Sequence, residues 1–170
     1  MKLFTIAIAL LLACLAGLAP TISSADASSG PVMVGQPACR VEKPTDWGAD
    51  GTFRWIGRCR NGLAEGHGVL RNSSSGEAEV LLFLGDVRAG RLRSGVLASS
   101  QLAGFSGGRW KDGAIVESDD ELKRQNDWRA ALMAAADAAT QAGRTFQREH
   151  KDASATYYLT LAKTLRNQFD

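Results

Sequence analysis

Two hydrophobic periods divide the chain. From Thr52 the period is two: Phe53, Trp55, Gly57 and Cys59 fall on one side of an extended strand, and Arg54, Ile56, Arg58 and Arg60 on the other. Asn61-Gly62 follows, a dipeptide that favours a tight hairpin turn because both centres need positive φ. A return strand then carries Val69 and Leu70, and Asn72 to Gly76 reads as a polar turn. Glu79 to Val87 reads as a further strand and Val96-Leu97 as a short one. Arg109 to Val116 straddles an Asp112-Gly113 turn. Beyond Asp119 the period becomes helical, with Leu122, Trp128, Leu132, Ala136, Ala139 and Phe146 on one stripe. Asp119, Asp120 and Glu121 open this helix, and Arg144, Arg148 and Lys151 close it, the order that the helix dipole favours. Asp152 is placed to cap a second helix bearing Tyr158, Leu161, Ala162, Leu165 and Phe169 on one side. The small residues of Ala130 to Ala136 permit close helix approach. The pattern therefore predicts an antiparallel helical hairpin that covers one end of the sheet or forms a homodimer contact.

The beginning of the chain has neither period. Lys2, the apolar run Leu3 to Ala19, Pro20 and Ala25-Asp26-Ala27 have the layout of a secretory signal peptide, cleaved after Ala27. Leu11-Leu12-Ala13-Cys14 resembles a lipobox, but the apolar run continues past Cys14, so a lipoprotein is the less favoured reading. Residues 28–52, with Pro31, Pro37 and Pro44, read as an extended leader. After cleavage two cysteines remain, Cys39 and Cys59, and an even pair in an exported chain reads as one disulfide. The expected location is the periplasm or the extracellular space.

Four glycines, Gly57, Gly62, Gly66 and Gly68, stand at fixed offsets behind Trp55. Gly85, Gly90 and Gly95 repeat the register behind Phe83, and Gly107 and Gly113 repeat it around Trp110 behind Phe105. Residues 53–117 thus resemble the MORN repeat family. Its unit is an aromatic, any residue and a glycine, a second aromatic two residues on, a glycine closing the turn, and a later glycine pair. Here Cys59 and Val87 occupy the inner aromatic position, and the third unit lacks the glycine pair. The resemblance fits the antiparallel hairpin ribbon read over 53–117, which with the helical hairpin read from the period over 118–170 makes an α+β protein. It also implies association with proteins and, less securely, with lipid. The glycines at 57 and 85 are expected to admit a neighbouring strand or ring, those at 62 and 90 to close turns, and the recurring aromatics to fill a narrow core.

Charge adds one feature. The 20 Lys and Arg nearly balance the 18 Asp and Glu, which gives no case for nucleic-acid binding. Yet the glycine-rich part is basic, and Arg54, Arg58, Arg60, Arg71, Arg88, Arg91 and Arg93 are candidates for one partner-binding face whose arginines add little to stability. His67 and His150, the only histidines, have no spaced triad partners, and no phosphate loop or metal-ligand spacing is present. No catalytic residue, metal or cofactor is expected. The expected function is an exported, non-enzymatic binding or scaffold module that meets a protein, an envelope polymer or an anionic lipid. The alternative is an exported enzyme inhibitor or immunity-type protein using the disulfide-tied loop from Cys59 to Gly68.

Overall fold

Three two-residue turns organise the sheet. Asn61-Gly62 joins β3 (Thr52–Arg60) to β4 (Leu63–Ser73). Ala89-Gly90 joins β5 (Val80–Arg88) to β6 (Arg91–Ser99), and Asp112-Gly113 joins β7 (Ser106–Lys111) to β8 (Ala114–Ile115). Every one of these residues has positive φ, from 48° at Ala89 to 79° at Gly113, as a turn matching the twist of the strands requires. The strands pair antiparallel in sequence order, so the three turns share one end of the sheet. The computed structural model describes residues 31–73, 80–99 and 104–169. The apolar segment 1–27, its cleavage site and Cys14 lie outside the described residues, as does the polar turn beyond Ser73. The architecture is α+β, a curled and mostly antiparallel sheet followed by two helices.

The glycine register becomes a row across the sheet. Gly57 pairs with Gly68, Gly68 with Gly85, Gly85 with Gly95, and Gly95 with Gly108. The neighbouring row on the same face is Trp55, Leu70, Phe83 and Leu97, and its rings lie over the glycines. A Cβ on Gly57 would sit 2.8 Å from the Trp55 indole, and one on Gly95 would sit 2.8 Å from the tip of Phe83. The row therefore exists because only a residue without a side chain leaves room for the ring. The third unit departs from the expected register by one residue. Gly108 rather than Gly107 partners Gly95, and Phe105 packs on the opposite face with the helices. Trp110 takes the aromatic place, edge-on to Phe83 at 5.4 Å, with its indole N–H donating to the Gly95 carbonyl at 2.9 Å.

Both faces of the sheet are covered, as the two buried clusters record. On one face Ile56, Val69, Leu82, Leu84, Val96 and Ala98 meet α1 (Glu121–Arg148) and α2 (Asp152–Arg166). The alanine stripe of α1 is fully buried at Ala131, Ala135, Ala136, Ala138, Ala139 and Ala142. Helix α1 lies across the face of β4 to β7 rather than on an end, and α2 packs against α1. Asp120 caps α1, accepting from the Lys123 amide at 3.1 Å. Asp152 caps nothing: Lys151 is the N-cap of α2, without a side-chain hydrogen bond, and His150 at φ 55° makes the reversal between the helices. Leu122, placed by period on the apolar stripe, is 71% exposed, one turn before the sheet begins to cover α1.

The leader covers the other face and is more than an extended strap. It folds into a hairpin of β1 (Met33–Gln36) and β2 (Cys39–Glu42), and Trp47 is buried with Trp55, Leu70, Phe83 and Trp110. Its second strand, β2, and the extension to Thr45 cross the three turns. The amide of Arg40 donates to the Gly62 carbonyl at 2.9 Å, that of Glu42 to Gly90 at 2.7 Å, and that of Thr45 to Gly113 at 2.8 Å. In a two-residue hairpin the turn carbonyls have no ladder partner, so these bonds satisfy groups that the sheet leaves over. Cys39 and Cys59 are bonded, with Cα atoms 5.6 Å apart, which ties β2 beside the first turn. The Glu42 carboxylate is buried. It accepts from the Leu92 amide at 2.9 Å and from the Arg91 guanidinium at 3.2 Å.

A Cβ on Gly68 would fall on the Trp55 ring and 2.8 Å from the Ile56 carbonyl, whereas one on Gly62 meets nothing and is opposed only by its φ of +75°. Gly62→Ala should then cost about 1–2 kcal/mol, and Gly68→Ala clearly more, because a buried ring and a backbone strand must move. Equal melting temperatures for the two variants would refute the ring-over-glycine packing. The exposed Ala89 holds a left-handed conformation that alanine disfavours. Ala89→Asn should therefore raise stability by about 0.5–1 kcal/mol, measured by urea unfolding; a loss would contradict the turn.

Candidate functional site

The bulge that interrupts β3 and β4 borders a cationic cleft. Gly57 faces Gly68, but Arg58 faces Glu65, so Gly66 and His67 have no partner on β3. Such an insertion bends the strand and re-aims the side chain it carries. Gly66 takes φ 75° to allow it. His67 shares the helix-covered face with Val69 and reaches the space under α1. There α1 presents Asp137, Thr140, Gln141, Arg144 and Arg148, all on one helical stripe, and α2 adds Arg166 from its last turn. The space they enclose measures about 480 Å³.

Its electrostatics are uneven. Three guanidinium groups and an imidazole line the cleft against a single carboxylate. That carboxylate, Asp137, is taken by Arg166 at 3.3 Å, which also donates to Thr140 at 3.2 Å. Arg148 donates to the Thr145 hydroxyl at 3.1 Å. The side chains of Arg144 and His67 have no hydrogen-bond or ion-pair partner among the described residues. Glu149 at the end of α1 is engaged by Lys151 at 2.7 Å, and that hydrogen bond holds its carboxyl below the usual range. The cleft therefore keeps unneutralised positive charge, and a guanidinium fork is the group that reads carboxylate and phosphate oxygens in pairs.

The seven arginines singled out in the sequence are not one surface. The face that carries Ile56 is covered in its middle by the helices, and the arginines lie around its margins. Arg54 and Arg71 are cross-strand partners at the end remote from the turns, close enough to influence Tyr158. Arg58 and Arg60 sit beside Glu65 and Cys59 at the first turn. Arg88 and Arg91 flank the second turn, Arg88 pairing with Asp86 at 3.8 Å, and Arg93 is the exposed extra residue of a second bulge. Arg91 belongs to the fold, because it meets buried Glu42 at 3.2 Å and Asp112 at 3.6 Å. Of the repeat residues, Trp55, Phe83 and Trp110 are buried. Gly57, Gly68, Gly85 and Gly95 form the row. Gly62, Gly90 and Gly113 close turns, and Gly66 makes the bulge. The cleft residues Arg144 and Arg148 were legible only as helix-end charges, and Arg166 carried no signal in the sequence. Nothing local to them points to His67, which precedes them by 77 positions or more in the chain.

Among the described residues, no group of three His, Cys, Asp or Glu side chains is placed to hold a metal ion. No protein-family model, curated protein or solved structure matches the chain.

The placement of Arg91 separates it from its neighbours in a stability measurement. Arg91→Ser should cost about 1–3 kcal/mol, since it strips a buried carboxylate of its charged partner. Arg58→Ser and Arg60→Ser should each stay within about 0.5 kcal/mol. Chemical denaturation of the three variants checks this, and three equal values would contradict the role given to Glu42.

Proposed function

We propose that this protein is an exported binding module that takes an anionic group of an envelope component or partner protein into the cleft between His67, Arg144, Arg148 and Arg166. One observation carries the reading: four cationic or protonatable side chains converge from three elements on a cavity whose only carboxylate is already paired. Arginines on rigid helices, against a sheet fixed by a disulfide, lose little freedom on binding. The likeness of residues 53–117 to MORN repeats supports association rather than catalysis. The apolar segment 1–27 and the disulfide between Cys39 and Cys59 support an oxidising compartment outside the cytosol.

An exported inhibitor is the second reading. What favours it is the first turn: Arg60 and Asn61 are exposed at a tip braced by the disulfide and by the Arg40–Gly62 hydrogen bond. A rigid projecting loop suits insertion into another protein's cleft.

The two readings separate in a titration of the mature chain with inorganic phosphate and with citrate, followed by NMR. The cleft reading expects saturable shifts at His67, Gln141 and Arg144, weakening as salt rises. Arg144→Gln with Arg148→Gln should weaken binding at least about tenfold, the scale of one charge-assisted hydrogen bond, with the melting temperature unchanged. Shifts elsewhere, or binding indifferent to the double variant, would remove the cleft from consideration.

A further inference from the structure

The cleft holds more than positive charge. Every side chain that lines it is polar or charged. In this it differs from the hollow beneath the first turns of α2, where Val80, Leu82, Tyr157 and Tyr158 supply an apolar wall. Arg144 and Arg148 stand one turn apart on α1, so their guanidinium groups can close on a single anion. Arg166 and Asp137 cancel each other, which leaves two full positive charges beside the His67 imidazole. Farther along the same stripe the unused groups are of another kind. The half-buried Gln141 amide has no hydrogen-bond partner among the described residues. Asp137 accepts from Arg166 through Oδ1 and keeps Oδ2 as an unused acceptor. Thr140 is already committed, donating to the Ala136 carbonyl at 2.8 Å and accepting from Arg166 at 3.2 Å. By helix rise Gln141 lies about 5 Å and Asp137 about 10 Å from Arg144 along α1. A ligand that uses all of these carries a compact anion at one end and groups that both donate and accept hydrogen bonds beside it. A bare oxyanion would leave Gln141 and Asp137 Oδ2 unused, and an apolar body would lie against charge.

We propose that the cleft recognises a phosphorylated sugar. The proposal rests on the reading of the cleft as an anion site and adds what carries the anion. The phosphomonoester dianion meets Arg144 and Arg148, with His67 donating from β4. Two charges on one tetrahedral group match two uncompensated guanidinium groups better than the single charge of a uronate or a sulfate ester. The sugar ring extends toward the middle of α1, where one hydroxyl donates to Asp137 Oδ2 and another pairs with the Gln141 amide. A space of about 480 Å³ takes a hexose together with its phosphate.

The test is an NMR titration of the mature, disulfide-bonded protein with glucose 6-phosphate and mannose 6-phosphate, at a slightly alkaline pH where a phosphomonoester is doubly charged. Glucose 6-sulfate keeps the shape with one charge fewer, and inorganic phosphate keeps the dianion without the sugar. At least one sugar phosphate should give saturable shifts at His67, Gln141 and Arg144, and should bind at least about tenfold more tightly than the sulfate ester and inorganic phosphate. Gln141→Ala should weaken the sugar phosphate severalfold and leave inorganic phosphate and the melting temperature unchanged, because that amide meets the sugar alone. Arg144→Gln should weaken both ligands. Sugar phosphates no tighter than inorganic phosphate, equal binding of glucose 6-sulfate, or a Gln141→Ala loss shared by inorganic phosphate would each overturn the proposal while leaving the cleft an anion site. No shift in the cleft with any of these anions would remove the anion site itself, and the proposal with it.

Discussion

Three hydrogen bonds from the leader to the hairpin turns hold the rest of the structure in register. Each antiparallel hairpin satisfies its own strands but leaves the carbonyls of its two turn residues pointing outward. Gly62, Gly90 and Gly113 therefore form a line of unused acceptors along one end of the sheet, and β2 with its extension to Thr45 supplies the amides. The Cys39–Cys59 bond fixes where that line begins, and the Glu42 carboxylate, held by the Leu92 amide and Arg91, fixes its middle. Closing a loop of this length contributes roughly 3 kcal/mol, more than any exposed ion pair here. With the turns bound together, the aromatic row under the leader becomes a core rather than a solvent face: Trp47, Trp55, Phe83 and Trp110 are all buried.

That arrangement has a consequence for the opposite face. A sheet braced on the leader side can be covered by helices on the other without open ends, and α1 crosses it on alanines, which let the helix lie close. Arg144, Arg148 and Arg166 collect above the bulge at His67, and Tyr157 and Tyr158 collect above Arg71 and Leu82. Both cavities thus arise where the close alanine packing stops, and the chemistry of each is set by the strand end beneath it.

Much of this frame was legible from residues. Asn61-Gly62 and Asp112-Gly113 announced turns, the glycine register announced close approach of rings, and the alanine-rich period announced the helical pair. What escaped did so for physical reasons. The leader binds the turns through its backbone, and backbone amides leave no mark on the side-chain pattern, while its prolines argued against a strand. Ala89 closes a turn in a conformation that its residue type does not advertise; Glu65 supports it by accepting from its amide at 2.8 Å. Phe105 changed faces because one extra residue at Gly107-Gly108 shifts the register. Both cavities join segments far apart in the chain. A period-based reading sees Arg71 and Tyr157, or His67 and Arg144, only as members of separate elements.

Hydrogen exchange of single amides in the mature oxidised protein shows whether the leader is an integral strand of the sheet end. The amides of Arg40, Glu42 and Thr45 should exchange at rates close to those of the β4–β5 ladder, since they open only when the turns part from the leader. Exchange at the rate of an unstructured peptide at these three positions, with the ladder still protected, would contradict the account.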